Sequence, residues 1–219
     1  NKREPSYCCF ANVHMTIESH DNKGFAEQVN QANLVCADGM PLVKASKLIN
    51  KNTIERVAGM DMMPAVMGKA AEKNLSVFFF GTTNEVLSKI KIEVIRRFPT
   101  LKIAGMLSPP FRTLTEQEKK DHIKLINDSG ANIVMVALGC PKQEKWMAEN
   151  SEKINAILLG VGGAFPVFAQ LQTRAPKWLR SLSLEWLYRL SQDPKRLFKR
   201  YFYTNTKFLL LLISRYFRK

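Results

Sequence analysis

The stretch IVMVALGCPKQEKW, residues 133–146, decides the fold. It opens with a continuous aliphatic run, which is typical of a strand covered on both faces of a sheet. A glycine turn follows at Gly139, and Pro141 suits the first position of a helix because the N–H that it lacks would have no partner there. The stretch therefore predicts a buried parallel strand, a tight turn and a helix that begins above the carboxyl edge of the sheet.

The first turn of this helix carries Lys142, Gln143 and Glu144. Free amides and the positive end of the helix dipole favour an anion at a helix N-terminus. Lys142 adds a mobile positive charge, and Gln143 offers both a hydrogen-bond donor and an acceptor. A nucleotide diphosphate is the natural candidate for that anion. A capped surface helix with solvated charges explains this stretch nearly as well, and the stretch alone does not decide between the two interpretations.

Short apolar segments alternate with helical segments over most of the chain. Besides the opening strand, strands are predicted at residues 6–11, 33–37, 76–80, 101–106 and 156–161, and helices at 25–30, 42–49, 61–73, 84–97 and 116–129. Strands separated by helices predict an α/β fold with a doubly wound, mostly parallel, Rossmann-like sheet. We assign residues 1–173 to this domain.

Polar or glycine residues follow each predicted strand directly. In open parallel sheets, ligands bind beyond the carboxyl ends of the strands, so these residues are the first candidates for a binding site. They are Asn12, Asp38, Gly81, Thr82, Gly139, Lys142, Gln143, Glu144, Gly162 and Gly163.

Asp38 and Arg56 are the two candidates whose side chains carry charge and chemistry. A carboxylate held at a strand end can act as a general base, although on position alone Asp38 is better explained as a helix cap. Arg56 precedes Asp61 and could bind a diphosphate in a bidentate manner or form a surface ion pair. Position alone leaves both questions open.

Residues 174–219 differ from the rest of the chain and form a predicted helical appendage, with helices at 184–191, 194–203 and 206–217. This tail carries 12 Lys/Arg against two acidic residues, so +10 of the formal net charge of +14 lies there. Basic residues alternating with aromatic and aliphatic ones are typical of a helix that lies in a membrane interface and is attracted by anionic lipid. A helical cap packed on the domain is the alternative; we favour the membrane interpretation for residues 208–219.

Several functional classes find no support. The four cysteines show neither metal-ligand spacing nor a disulfide pattern, and the three histidines are scattered. There is no Asp-x-Asp pair for a divalent metal, no apolar run of transmembrane length and no signal peptide. Residues 160–163 lack the full dinucleotide-binding spacing. Because the chain begins at Asn1 without a methionine and reaches a strand almost at once, we expect the natural start to lie further upstream.

Seven motifs, in order, resemble those of the WecB/TagA/CpsF glycosyltransferases, glycosyltransferase family 26, and the resemblance runs from about residue 12 to residue 208. The motifs are ADGMP at 37–41, ERVAG at 55–59, SPPFR at 108–112, LGCPKQE at 138–144 followed by Trp146, GVGGAF at 160–165, RAP at 174–176 and LEWLYRL at 184–190.

The resemblance implies transfer of a sugar, often N-acetylmannosamine, its uronic acid or glucose, from a UDP-sugar to a polyprenyl-diphosphate-linked acceptor. It implies inversion, no metal and no cofactor, at the cytoplasmic face of the bacterial inner membrane, in surface-polysaccharide or wall-polymer synthesis. The partners it implies are the UDP-sugar, the polyprenyl-linked acceptor and an anionic membrane surface, with no nucleic acid; a homo-oligomer is compatible with the sequence.

The resemblance also implies roles for individual residues. Asp38 corresponds to the proposed general base, and Arg56 and Gln143 to the arginine and glutamine of their motifs. Tail arginines that approach the diphosphate and the lipid carrier correspond best to Arg189, Arg196 and Arg200.

Two alternatives remain open at this stage. Where family members usually have an aspartate after Phe165, this chain has Pro166, which motivates a catalytically impaired member that acts as a scaffold. The basic, aromatic tail motivates a nucleic-acid-binding protein, although no recognition motif is present.

Overall fold

The computed structural model describes residues 4–217, so the ends of the predicted ranges 1–173, 174–219 and 208–219 lie partly outside the described residues. The strands are β1 (Ser6–Ala11), β2 (Leu34–Ala37), β3 (Ser76–Gly81), β4 (Lys102–Leu107), β5 (Ile133–Ala137) and β6 (Ile157–Leu159). Within residues 4–217 they form a single sheet in the order β2-β1-β6-β5-β3-β4. Every pairing is parallel, which confirms the predicted sheet.

Helices connect these strands and continue after the last of them. The first eight are α1 (Val13–Asp21), α2 (Lys23–Asn30), α3 (Met40–Asn50), α4 (Gly59–Glu72), α5 (Asn84–Arg97), α6 (Glu116–Asp128), α7 (Lys142–Asn150) and α8 (Ala164–Phe168). The tail, residues 174–217, contains α9 (Lys177–Ser181), α10 (Glu185–Gln192) and α11 (Pro194–Phe217).

Strand β3 shows why the helices cover both faces of the sheet. Successive side chains of a strand point to opposite faces. Phe79 joins one core cluster with Met63 of α4, whereas Phe78 and Phe80 join a second cluster with Ile126 of α6. Two separate cores, one on each face, make the fold a doubly wound α/β structure, as predicted.

Two predicted boundaries were wrong for local reasons. Strand β6 stops at Leu159 because the chain turns at Gly162, whose φ is +44° and whose N–H donates to the Val136 oxygen at 3.1 Å. The helices predicted at 194–203 and 206–217 are one helix, α11. No break occurs between them: Thr204 is buried and its hydroxyl donates to the Arg200 carbonyl at 2.9 Å, so the helix satisfies it internally.

The start of α7 also differs slightly from the prediction. Pro141 is the N-cap rather than the first helical residue, and the Cys140–Pro141 peptide is cis. The helix still begins above the carboxyl end of β5, where the sequence predicts it.

The tail lies against the domain through its long helix. Helix α11 contacts α1, α3 and α10. None of the helices within residues 4–217 combines the length and apolar character that crossing a bilayer requires.

Candidate functional site

The site lies where β2, β1 and β6 end side by side. The Asp38 N–H donates to the Ala11 carbonyl at 2.8 Å, which ties the residue after β2 to the end of β1. The Val57 N–H donates to the Ala37 carbonyl at 2.9 Å, so the loop that carries Arg56 lies at the same edge. Backbone hydrogen bonds therefore bring Asp38 and Arg56 together.

Arg56 lies among three carboxylates. Its Nη2 is 3.1 Å from Glu185 Oε2 and 3.5 Å from Asp38 Oδ1, and its Nη1 is 3.7 Å from Asp61 Oδ2. The Arg56 and Asp38 side chains are only 16% and 22% exposed, so these charges act with little screening by water. The shortest of the three contacts is the one to the tail residue Glu185.

Two further arginines of the tail complete this cluster. Arg189 Nη2 donates to Glu185 Oε1 at 2.8 Å, and Arg189 Nη1 lies beside Gly163, 3.5 Å from where a Cβ would stand. Arg174 binds both oxygens of Asp61, at 2.5 and 2.6 Å. The site cluster, defined as Asp38, Arg56, Asp61, Arg174, Glu185 and Arg189, thus joins the sheet edge to the tail.

Burial raises the pKa of Asp38 to about 6. The positive charges of Arg189 and Arg56 pull that pKa down, while the negative charges of Glu185 and Asp61 push it up, and burial outweighs the arginines. A carboxylate with a pKa of about 6, held among charged groups at the sheet edge, can accept a proton from a hydroxyl near physiological pH.

Gln143 is buried, and its amide has one possible orientation. Its Nε2 donates to the Gly160 carbonyl at 2.7 Å and to Glu144 Oε1 at 2.9 Å. Since the Gly160 carbonyl can only accept, the amide nitrogen must face it. Gln143 Oε1 then lies near Gly162 without a hydrogen-bond partner among residues 4–217. Gln143 therefore offers an acceptor, not the donor and acceptor that the sequence suggested.

The other two residues of this turn point in opposite directions. Lys142 is exposed, as expected for a mobile charge. Glu144 is 1% exposed and hydrogen-bonds to the Cys140 thiol, and burial raises its pKa. The packing of α7 turns the Glu144 side chain inward, and its assignment to the binding site stays a prediction.

The complete chain, residues 1–219, matches the model of the Glycosyl transferase WecG/TagA/CpsF family. The chain belongs to this family. A Staphylococcus aureus relative is 30% identical over 188 residues, which cover 85% of this chain and 72% of the relative. A Bacillus spizizenii relative is 32% identical over 197 residues, covering 90% and 75%. Both are named N-acetylglucosaminyldiphosphoundecaprenol N-acetyl-beta-D-mannosaminyltransferase.

Membership in a glycosyltransferase family confirms the resemblance drawn from the seven motifs. The protein is accordingly a glycosyltransferase. Within residues 4–217, no three His, Cys, Asp or Glu side chains are arranged to hold a metal ion.

Some predicted residues have a structural explanation for their identity. Asn12 caps α1 by accepting from the Met15 N–H at 3.2 Å. A Cβ on Gly81 would stand 2.4 Å from the Ala137 oxygen, so glycine is required there for β3 to approach β5. The Thr82 N–H donates to the same oxygen, and Gly139 is exposed with open space around it.

The tail arginines predicted for the site are not gathered in one place. Arg189 belongs to the site cluster, whereas Arg196 is bound by its neighbour Asp193 at 2.5 Å and is 65% exposed. Arg200 lies beside His14 and Cys140: burial and then the Arg200 charge lower the pKa of His14, whereas burial raises the pKa of Cys140 and the Arg200 charge only partly opposes that rise. In the described part of the chain neither Arg196 nor Arg200 forms a hydrogen bond or ion pair with Asp38, and their approach to a diphosphate and a lipid carrier stays a prediction.

Sequence reasoning missed Glu185 and Arg174 as members of the site cluster, whereas it had named Asp61 as a neighbour of Arg56. Glu185 stands four residues before Arg189 in a predicted helix, and this spacing is a known signal for an ion pair. Arg174 lay in a quoted motif, but nothing in the sequence connected it to Asp61, 113 residues earlier.

Proposed function

We propose that this protein transfers N-acetylmannosamine from a UDP-linked donor to an N-acetylglucosamine-diphosphate-polyprenol acceptor, with inversion and without a metal. The observation that carries the proposal is the site cluster: a half-buried carboxylate with a raised pKa beside three arginines at the carboxyl edge of a parallel sheet. The names of the two relatives supply the proposed acceptor and the proposed sugar.

Asp38 is the proposed base of a single displacement. An acceptor hydroxyl attacks the anomeric carbon of the donor, its oxygen–carbon bond forms, and its proton passes to Asp38. The bond from the anomeric carbon to the UDP oxygen breaks, and the electron pair leaves with UDP. Because attack and departure take place on opposite faces of the carbon, one displacement inverts its configuration.

Arginines are the proposed source of positive charge for the leaving group. Arg56 and Arg189 both lie within a few ångströms of Glu185, and guanidinium groups bind phosphate oxygens in a bidentate manner. They can stabilise the charge that develops on the departing diphosphate, which is the task a divalent metal performs in other enzymes. The free Gln143 oxygen is proposed to accept a hydrogen bond from an N–H or O–H group of the donor.

The tail is proposed to hold the enzyme on the cytoplasmic face of the bacterial inner membrane. Its long helix exposes large apolar side chains, among them Phe202 at 69%, Leu210 at 62% and Phe217 at 80%, within a strongly basic segment. That combination is typical of a helix lying in an anionic interface. An apolar pocket of about 410 Å³ between α9, α10 and α11, lined by Leu179, Leu187, Tyr188, Leu190, Pro194 and Phe198, supports binding of an isoprenoid chain.

The direct test is turnover by purified protein. UDP-N-acetylmannosamine and polyprenyl-diphosphate-linked N-acetylglucosamine in anionic vesicles should yield the disaccharide lipid, with the same rate in EDTA. Asp38→Asn should bind UDP like the wild type but lose turnover by about 10²- to 10⁴-fold, the usual contribution of a general base.

The outcomes separate the parts of the proposal. Turnover retained in Asp38→Asn would remove Asp38 as the base, and activity lost in EDTA would contradict metal independence. Absence of UDP binding to the wild type would favour a scaffold. Binding to single-stranded or duplex nucleic acid that exceeds binding to anionic vesicles would favour a nucleic-acid-binding protein.

A further inference from the structure

We propose that Glu185 is a positioning residue: its carboxylate holds the Arg56 guanidinium so that Asp38 keeps an oxygen free for the substrate hydroxyl. This inference rests on the proposed function, because it assigns a purpose to the arrangement around the proposed base. It concerns a side chain of the tail that acts on a side chain of the sheet edge.

The distances show which carboxylate engages Arg56. The Arg56 Nη2 donates to Glu185 Oε2 at 3.1 Å, within hydrogen-bond range, whereas the same nitrogen is 3.5 Å from Asp38 Oδ1 and forms no hydrogen bond to it. The second oxygen of Glu185 accepts from Arg189 at 2.8 Å. Glu185 thus bridges the two arginines, and its side chain is only 19% exposed.

Without Glu185, Arg56 would have Asp38 as its nearest buried carboxylate. An arginine–carboxylate pair with two parallel hydrogen bonds is strong, and a carboxylate so bound holds a proton less tightly. A base paired in this way would accept the hydroxyl proton less readily. Glu185 prevents that pairing because it accepts the hydrogen bond from Arg56 Nη2 that Asp38 would otherwise accept.

Five charged groups within residues 4–217 act on Asp38. They are Arg56 from the loop before α4, Asp61 from α4, Glu185 and Arg189 from α10, and Arg174 from the start of the tail. Both terminal nitrogens of Arg174 are bound to Asp61. The raised pKa of Asp38 agrees with a site in which Arg56 is shared rather than paired with Asp38 alone.

The consequence is that α10 brings two opposing influences to the base. Glu185 keeps Arg56 from pairing with Asp38, whereas the charge of Arg189 lowers the pKa of Asp38. Substitution of Glu185 alone separates the first influence from the second.

The test is a titration of the Asp38 carboxyl in the full chain by carbon-13 NMR, with Asp38→Asn used to assign the signal. Glu185→Gln removes the charge and keeps the shape, and we expect it to lower the Asp38 midpoint by about one pH unit, a tenfold weaker hold on the proton. Glu185→Ala should shift the midpoint in the same direction. Glu152→Gln, an exposed glutamate beyond the end of α7, should leave it unchanged.

A double-mutant cycle separates action through Arg56 from direct charge repulsion. In an Arg56→Gln background, the shift caused by Glu185→Gln should fall to less than half of its size in the wild type. An equal shift in both backgrounds would overturn the proposal in favour of a direct effect, and a midpoint that stays or rises in Glu185→Gln would overturn it altogether.

Kinetics give a second readout. In Glu185→Gln the acid limb of the pH–rate profile should move to lower pH and kcat should fall; the position of the acid limb is the readout rather than KM, because Glu185 also contacts Arg56 and Arg189, the proposed diphosphate ligands. The NMR titration needs no turnover. Failure of the proposed reaction would therefore leave a lowered midpoint standing, and failure of the inference would leave turnover standing.

Discussion

The sheet domain and the tail contribute to one site but are held by different forces. In β3 of the domain, Phe78, Phe79 and Phe80 are each at most 1% exposed. Within residues 174–217, only Ala175, Leu197 and Thr204 are buried. The tail is attached instead by charged contacts, such as Arg174 to Asp61 and Lys207 to Asp21. One half of the site is therefore fixed by packing, and the other by interactions that water and salt can weaken.

The sharpest test of this contrast compares two phenylalanines. Phe79→Ala should lower the free energy of unfolding by about 3–5 kcal/mol, because it leaves a cavity in a closed core. Phe202→Ala, in the exposed face of α11, should change it by less than about 0.5 kcal/mol. Urea unfolding followed by circular dichroism measures both. Similar losses would mean that the tail is packed as the domain is.

The pH dependence of stability tests the burial of Asp38. Its folded pKa of about 6 lies above the ordinary aspartate value of 3.8, so the native state binds the proton more tightly than the unfolded state. Stability is therefore lost as the pH rises from about 4 to about 6, and the full penalty applies above that. Asp38→Asn, which does not titrate, should be more stable than the wild type by about 2–3 kcal/mol at pH 8.

That stabilising effect should shrink as the pH falls toward 4. Thermal unfolding at several pH values measures it, with the exposed Asp121→Asn of α6 as the matched control that shows no such trend. A difference between Asp38→Asn and the wild type that does not vary with pH would mean that Asp38 is not held as described.

Membrane attachment tests the exposed side of the tail. Replacing Leu209 and Leu210 by serine should weaken binding to anionic vesicles by about tenfold, since each leucine loses apolar surface that the bilayer would bury. Deleting the residues after Tyr203 should weaken it further while the domain stays folded. Leu125→Ser, an equally exposed leucine on α6, is the control. Vesicle binding that survives the deletion would place attachment elsewhere.

Salt tests the charged attachment of the tail and has the smallest expected effect. Arg174→Gln should weaken docking of the tail by about 1 kcal/mol, because a partly exposed bidentate pair contributes little more than that. Trypsin should then cleave within α9 and α10 several times faster, and 0.5 M salt should have a similar effect on the wild type. Lys69→Gln, which removes a pair within α4, should cleave like the wild type.

Local patterns predicted the sheet, and distant contacts explain what they missed. The continuous apolar runs of β3 and β5 predict buried strands, because only a strand covered on both faces of a sheet tolerates a run of this kind. The predicted break between residues 203 and 206 does not occur, because the Thr204 hydroxyl is satisfied by the helix itself, a bond that the sequence does not reveal. Glu185 was missed because its partner Arg56 lies 129 residues away. Arg196 is bound by a carboxylate three residues before it, and its place at the site stays a prediction.

The site cluster is electrically balanced in the absence of substrate. Three guanidinium groups, of Arg56, Arg174 and Arg189, face three carboxylates, of Asp38, Asp61 and Glu185. A diphosphate entering this cleft brings surplus negative charge, and its compensation has to come from cations outside the cluster or from a proton. Substrate capture by this protein is thus expected to draw a cation or a proton from solution, so that its measured binding enthalpy changes either with the salt concentration or with the ionisation enthalpy of the buffer used.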